Sequence, residues 1–239
     1  MPRAWLIPLC LLAIVACTPS IAPAGAAPAP PDMSTWPAPE VALAAASEAM
    51  SQLQSLREKF VSRTYRNDDM FLGYDVERAY VAPDRRYERV EGRSPIEVVK
   101  GETVTVGAQF FKKVGDDGRW QALPAMENFA WPAQEYVLAG ARGATWVGAD
   151  TVDGRPARVL VVTHDGTPQQ RNDGWQFQTK LWIDPETNYF LKRETRGTRQ
   201  EPADPATGKP LIQRYEATWT YMNHNASISI TEPADAVGP

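Results

Sequence analysis

Cysteine and histidine are the scarcest reactive residues of this chain. The 239 residues include two cysteines, Cys10 and Cys17, and two histidines, His164 and His224. Cys10 lies in an N-terminal segment of the kind that is removed on export, so a disulfide framework is excluded and the fold must rest on its own core. No histidine pair has metal-ligand spacing, and neither a G-x-S-x-G motif nor a phosphate-binding glycine loop occurs. The sequence therefore predicts no enzyme, no metal site and no cofactor.

Positive charge is also in short supply. The chain has 25 basic and 29 acidic residues and a formal net charge of −4. A mildly acidic protein of this kind binds nucleic acid poorly, so nucleic acid is excluded as a partner. His164 stands at the end of a predicted strand before a loop, where a solvated imidazole is expected. A hydrolase that uses His164 or His224 is the lowest-ranked of three functional hypotheses.

The N-terminus has the form of a bacterial export signal. Arg3 precedes an apolar run at 5–16 that is too short to span a bilayer as a mature helix. The run ends in IVAC at 14–17, which resembles a lipobox, the motif in which the cysteine receives a lipid and the preceding peptide is removed. We therefore predict a signal peptide at 1–16 and a lipid attachment site at Cys17. The alternative is an ordinary secretory signal that is cut between 24 and 27.

The segment at 17–39 is rich in proline and alanine. This composition cannot form a core and predicts an extended tether between the acylated cysteine and one domain at 40–239. The predicted location is the cell envelope. Thr18 after the cysteine favours the outer membrane, facing the periplasm, if the source is Gram-negative; otherwise the outer face of the cell membrane is expected.

The hairpin at 175–195, WQFQTKLWIDPETNYFLKRET, has the clearest pattern in the chain. Its first strand alternates apolar and polar residues, which indicates a sheet with one apolar face. The turn begins at Asp184, whose side chain can hydrogen-bond the backbone ahead of it. The apolar face consists of Trp175, Phe177, Thr179, Leu181 and Ile183.

Two helical segments are predicted among about ten or eleven strands. The first is a long N-terminal helix at 40–62, because apolar residues recur there at spacings of three to four. The second is an apolar insertion at 123–143, which is either a lid over the sheet or part of the core. The remaining strands follow one another in hairpin order, which predicts an α+β, mainly antiparallel fold with a strongly curved sheet or partial barrel. The apolar stripe of the first helix is Val41, Ala45, Ala49, Leu53, Leu56 and Phe60.

The order of these elements resembles the LolA, LolB and LppX/LprG superfamily of bacterial lipoprotein carriers and lipid-binding lipoproteins. The resemblance covers residues 40–231 and rests on the helix from Glu40 and on three stretches, VVKGETVTV at 98–106, WVGADTVDGRPARVLVV at 146–162 and LWIDPETNYFL at 181–191. It implies an open half-barrel sheet with helices over its concave face and an apolar cavity between them. The acylated Cys17 points to a membrane-anchored member, and the polar loop at 198–210 departs from the pattern.

Aromatic residues carry the predicted binding site, with 8 Trp, 8 Tyr and 7 Phe in the chain. Burial of a 16-carbon acyl chain contributes on the order of 10 kcal/mol before ordering costs, at about 0.8 kcal/mol per CH₂. The predicted ligand is therefore the acyl chain of a lipid or lipoprotein. For any single residue, ordinary core packing is the competing interpretation. The predicted cavity lining is Leu72, Tyr74, Phe110, Met126, Phe129, Trp131, Tyr136, Leu160, Val162, Phe177, Leu181, Ile183, Tyr215 and Trp219.

The first functional hypothesis is thus a non-enzymatic, membrane-tethered binder of lipid or lipoprotein. The second is a regulatory or assembly lipoprotein that uses the same fold, with a filled core, to bind another envelope protein. A continuous apolar void between sheet and helices distinguishes the first hypothesis from the second.

Overall fold

Eleven strands and three short helical segments make up the described part of a computed structural model, which covers residues 32–114, 118–124, 141–203, 205 and 208–237. Within these ranges, no helix combines the length and apolar character needed to cross a bilayer. The helical segments are a 3₁₀ turn at Met33–Thr35, α1 at Pro39–Ser51 and α2 at Pro168–Asn172. The strands are β1 (Ser55–Arg66), β2 (Asp69–Val81), β3 (Arg85–Arg93), β4 (Val98–Val106), β5 (Gln109–Val114), β6 (Arg119–Leu123), β7 (Ala141–Val152), β8 (Arg155–His164), β9 (Gln176–Ile183), β10 (Phe190–Glu201) and β11 (Leu211–Met222).

All eleven strands belong to one sheet in the order β6-β5-β4-β3-β2-β1-β11-β10-β9-β8-β7. Every neighbouring pair is antiparallel, and every pair except β1 with β11 is consecutive in the chain. In the described residues β6 and β7 are the two edges, so the sheet is open. The predicted mainly antiparallel fold and its strand number are confirmed.

The predicted N-terminal helix at 40–62 is wrong in its second half. Helix α1 ends at Ser51, and β1 begins at Ser55. Leu53, Leu56 and Phe60 fit a helical spacing, but from Ser55 onward the chain alternates faces and pairs with β2 on one side and β11 on the other. This pairing overrides the helical pattern, because strand preference depends on neighbouring strands. The helical insertion predicted at 123–143 lies outside the described residues, except for its ends, which are in β6 and β7.

Helix α1 packs on one face of the sheet, which we call the helix face. The helix buries Ala42, Leu43, Ala46 and Met50, while Val41 of the predicted stripe is 60% exposed. The cluster beneath α1 joins strands from both halves of the sheet, since it contains Tyr80 of β2 as well as residues of β8, β9 and β10. The sheet residues of this cluster are Leu56, Tyr80, Leu160, Val162, Leu181, Ile183 and Phe190.

The opposite face has two smaller clusters. The C-terminal segment packs Ile228 and Ile230 against Val104 and Phe111, and its Val237 bonds through the backbone to β6. The second cluster contains Trp182, Leu191, Ala157 and Val159. Because the opposite face is covered in this way, the helix face is the one to consider for binding.

The β9–β10 hairpin has the turn chemistry that its sequence predicts. The Asp184 side chain accepts hydrogen bonds from the backbone N–H groups of Glu186 at 2.9 Å and Thr187 at 3.1 Å. Asn188 takes a positive φ of 59°, a conformation that asparagine tolerates better than most residues. Trp182 of this hairpin points to the opposite face, as the alternation requires, but is buried there.

Candidate ligand-binding face

All ten described residues of the predicted lining project from the helix face. Side chains of directly paired residues lie on the same side of an antiparallel sheet. The pairing forms rows across the strands, and one row contains Phe177, Gly197, Tyr215, Thr64 and Leu72. The ten residues are Leu72, Tyr74, Phe110, Leu160, Val162, Phe177, Leu181, Ile183, Tyr215 and Trp219. Met126, Phe129, Trp131, Tyr136 and Cys17 lie outside the described residues.

The ten residues divide into two environments. Four of them, Leu160, Val162, Leu181 and Ile183, are buried beneath α1 in the core cluster. The other six lie on the helix face outside this core cluster. Phe110 pairs with Leu123 near the β6 edge, and Tyr74 is 39% exposed beside Gly92. The remaining members lie toward the β1–β2 turn and the β10–β11 loop.

An aromatic cluster occupies the part of the helix face beyond α1. The rings of Trp175 and Phe177 stack with centroids 5.4 Å apart, and Tyr215 meets the Phe177 ring edge-on at 6.2 Å. Gly197 lies beneath Phe177, where a Cβ atom would approach the ring closer than 3.0 Å. Two helix-face rows away, the Phe60 and Trp219 rings are 4.7 Å apart. These broad apolar surfaces are of the kind that binds acyl chains.

A chain of hydrogen bonds runs across β8, β9 and β10 beside this cluster. His164 Nδ1 accepts from the Gly166 N–H at 3.2 Å, so the neutral ring carries its proton on Nε2 and donates it to Thr179 Oγ1 at 2.8 Å. Thr179 and Thr195 are joined at 2.8 Å, and Thr195 accepts from Arg193 Nε at 3.2 Å. Four polar side chains are thus buried and ordered on a face that was predicted to be apolar.

A second polar network lies on β1, β2 and β3. Arg78 contacts Glu58 at 2.7 Å and Glu88 at 2.6 Å, and Arg86 also contacts Glu88. Burial raises the pKa of Glu58, although the charge of Arg78 opposes this shift. Burial would also raise the pKa of Glu88, but its bonds to Arg78 and Arg86 lower the value. One signal of this network is present in the sequence, because Glu58 alternates in phase with Leu56 and Phe60.

Both histidines have structural partners. The prediction of a solvated His164 is wrong, because the side chain is buried between β8 and β9 and stacks on Phe177. Burial lowers the pKa of His164, and the nearby charge of Arg193 lowers it further. His224 Nε2 donates to the Phe190 carbonyl at 2.9 Å, and burial lowers its pKa as well. Both imidazoles are therefore held neutral near pH 7.

Comparison with solved structures identifies the fold. LprF from Mycobacterium bovis is 18% identical over 83% of this chain and 99% of its own, with a TM-score of 0.54. The Mycobacterium tuberculosis lipoprotein LppX is 14% identical over 80% and 97% of the two chains, with a TM-score of 0.44. A LolA superfamily protein from Nitrosomonas europaea is 13% identical over 81% and 97%, with a TM-score of 0.30. No family model and no curated protein matches the chain.

The likeness to LprF covers nearly the whole of that protein and shows that the two chains share a fold. The open, mainly antiparallel sheet that the predicted resemblance implies is thereby confirmed as a fold shared with a solved structure. The class defined by the fold is that of an open antiparallel sheet with a short helix packed on one face.

Proposed function

We propose that this chain is a membrane-tethered lipoprotein of the bacterial cell envelope that binds the acyl chain of a lipid or lipoprotein on its helix face. The observation that supports this function is the common face of the ten predicted lining residues, six of which lie beyond the core under α1. An acyl chain laid along the aromatic cluster would bury apolar surface on both molecules. That burial requires no covalent chemistry, so the proposed protein is a carrier or receptor and not an enzyme.

The proposed tether is the segment at 17–39, with a lipid on Cys17. It would hold the domain at 40–239 close to the membrane from which the ligand comes. In cells, replacement of Cys17 by Ser should move the protein from the membrane fraction to the soluble fraction. Replacement of Cys10, inside the proposed signal peptide, should leave it in the membrane fraction. Equal membrane retention of both variants would contradict acylation at Cys17.

Ligand binding is tested by native mass spectrometry of the secreted domain without Cys17. We expect the protein to retain a lipid of defined mass after purification from cells, and delipidated protein to bind a fluorescent fatty-acyl probe. A protein that repeatedly carries no lipid and binds no probe would contradict the proposal.

A protein-interaction lipoprotein with a filled core is the second candidate. The tight burial of Leu160, Val162, Leu181 and Ile183 under α1 favours it for that part of the face. In that case the domain would carry no lipid, and an envelope protein would be its partner. The same mass spectra therefore distinguish the two functions.

A further inference from the structure

Arg193 is the one arginine of β10 that lies among core residues of the helix face. Only 5% of its surface is exposed. Its row across the sheet contains Leu181 on β9, Trp219 on β11 and Phe60 on β1, all apolar. A guanidinium is seldom buried without a compensating anion, because removal of a charge from water costs several kcal/mol.

No ion pair of the described residues includes Arg193. The two buried carboxylates on this face are already engaged, Glu58 by Arg78 and Glu88 by Arg78 and Arg86. Three arginines thus share two carboxylates in this part of the face, and Arg193 is the one without a carboxylate in contact. Glu58 lies near enough to interact electrostatically with Arg193, but among the described residues no carboxylate touches the guanidinium.

The side chain of Arg193 is nevertheless held in place. Its Nε–H donates to Thr195 at 3.2 Å, and its guanidinium lies 4.2 Å from the centre of the Trp219 ring. The Thr195 hydroxyl is fixed in turn by Thr179 and His164. These contacts use only part of the five N–H donors of a guanidinium, whose planar fork matches carboxylate and phosphate oxygens.

The aromatic cluster begins four residues further along the same strand. Gly197, beneath Phe177, is about 13 Å from Arg193 at the rise of a β-strand. A bound amphiphile could therefore place an anionic group at Arg193 and its first methylenes against Trp219, Tyr215 and Phe177. This arrangement combines one fixed cation with an apolar track, the two elements that recognise an acidic lipid.

We propose that Arg193 binds the anionic group of the ligand, so that the helix face selects acidic amphiphiles over neutral ones of the same chain length. The inference rests on the proposed acyl-binding function and adds the chemical class of the headgroup. The anion is the carboxylate of a free fatty acid or the phosphate of a phospholipid, both of which a guanidinium binds through paired hydrogen bonds.

The test compares palmitate, hexadecanol and phosphatidic acid as competitors for a fluorescent acyl probe on the delipidated domain at pH 8. The variants are Arg193→Met, Arg193→Lys and, as the matched control, Arg196→Met, which removes an exposed arginine from the opposite face of the same strand. Wild type should bind palmitate or phosphatidic acid at least 10-fold more tightly than hexadecanol. Arg193→Met should abolish this preference for acids, while its affinity for hexadecanol should stay within about 2-fold of wild type. Arg193→Lys should retain part of the preference, and Arg196→Met should retain all of it.

The outcomes separate the two proposals. If Arg193→Met loses only the preference for palmitate over hexadecanol, the ligand is a carboxylate. If it loses only the preference for phosphatidic acid over hexadecanol, the ligand is a phosphate. If wild type binds acids and the alcohol equally, or Arg193→Met weakens all three alike, the headgroup assignment is overturned while acyl binding stands. If none of the three competes in wild type, acyl binding itself fails and the headgroup assignment fails with it. Unfolding curves of Arg193→Met should match or exceed wild type, because a buried charge has been removed.

Discussion

At the scale of single residues, the helix face is defined by polar groups as much as by aromatic rings. Arg193 and Glu58 are each 5% exposed, and His164 is 6% exposed. Each has a specific partner that fixes its orientation, so the face is ordered before any ligand arrives. Pre-ordered polar groups lower the entropic cost of binding, which favours one orientation of a bound amphiphile.

The two histidines make stability depend on pH. Both have a folded-state pKa below the unfolded value, mainly through burial, with Arg193 adding to the shift at His164 and Asp165 opposing it. The unfolded chain therefore binds more protons than the folded chain at acidic pH, and stability falls as pH decreases below about 6.5. Urea unfolding at pH 8, 7, 6 and 5 should record this decline.

The matched variant for this pH profile is His164→Gln with His224→Gln, which removes both titrating rings. Its free energy of unfolding should start lower at pH 8, because the bonds to Thr179 and Phe190 are altered, and should then vary less between pH 7 and 5. Parallel slopes in wild type and the variant would contradict the assignment of the pH dependence to the histidines.

The burial of Arg193 could not be foreseen from the sequence. Arg193 follows Leu191 by two residues, but a β-bulge between Phe190 and Lys192 places Leu191 on the opposite face and Arg193 on the helix face. A bulge reverses the phase of alternation and leaves no reliable mark in one sequence. His164 was misjudged for a different reason: it is the last residue of β8, but Ala141 of β7 and Phe177 of β9 pair with it on either side.

At the scale of elements, helix α1 is the described element that packs on the helix face. It contributes Leu43, Ala46 and Met50 to the core, and its N-terminal approach is fixed where Trp146 Nε1 donates to the Pro37 carbonyl at 2.8 Å. Trp36 meets the Trp146 ring edge-on at 5.1 Å. The C-terminal end of the predicted tether at 17–39 is thus attached to the edge strand β7.

Truncation of the buried side of α1 should destabilise the whole domain. Leu43→Ala and Met50→Ala each remove a buried side chain, with an expected loss of about 2–5 kcal/mol in the free energy of unfolding. Val41→Ala, on the exposed side of the same helix, should change it by less than about 0.5 kcal/mol. Chemical unfolding measures both. A cost for Val41→Ala as large as that for Leu43→Ala would show that the helix packs through the face predicted from sequence.

The elements of the fold differ in how well their sequence patterns predict their secondary structure. The side chains of β9 alternate between faces as the sequence predicts, although Trp182 is buried on the face expected to be polar. The segment after Ser51 was misread because Leu53, Leu56 and Phe60 satisfy a helical spacing, while Leu56 and Phe60 also satisfy a strand spacing. Only pairing with β2 and β11 decides between the two, and those partners are distant in sequence.

At the scale of the whole molecule, the sheet consists of two hairpin series joined where β1 pairs with β11. The join places β1 and β2 beside β10 and β11, so residues that are more than 100 positions apart in the chain share one row, as Leu72 and Phe177 do. The C-terminal segment covers part of the opposite face. The molecule therefore has one face that its C-terminal segment covers in part and one on which predicted lining residues converge.

The central claim, that an acyl chain binds on the helix face, is tested most directly by two residues of β2. Leu72 and Val81 are both half-buried, but Leu72 projects from the helix face and Val81 packs in the cluster of the opposite face. An aspartate at either position places a similar charge at a similar depth in the same strand. Unfolding curves of the two variants establish that both remain folded.

The measurement is the affinity of a fluorescent fatty-acyl probe for the delipidated domain. Leu72→Asp should weaken binding by about 10-fold or more, because a carboxylate on the apolar track must be desolvated by the ligand. Val81→Asp should leave the affinity within about 2-fold of wild type. Equal effects of the two substitutions, or a larger effect of Val81→Asp, would contradict binding on the helix face.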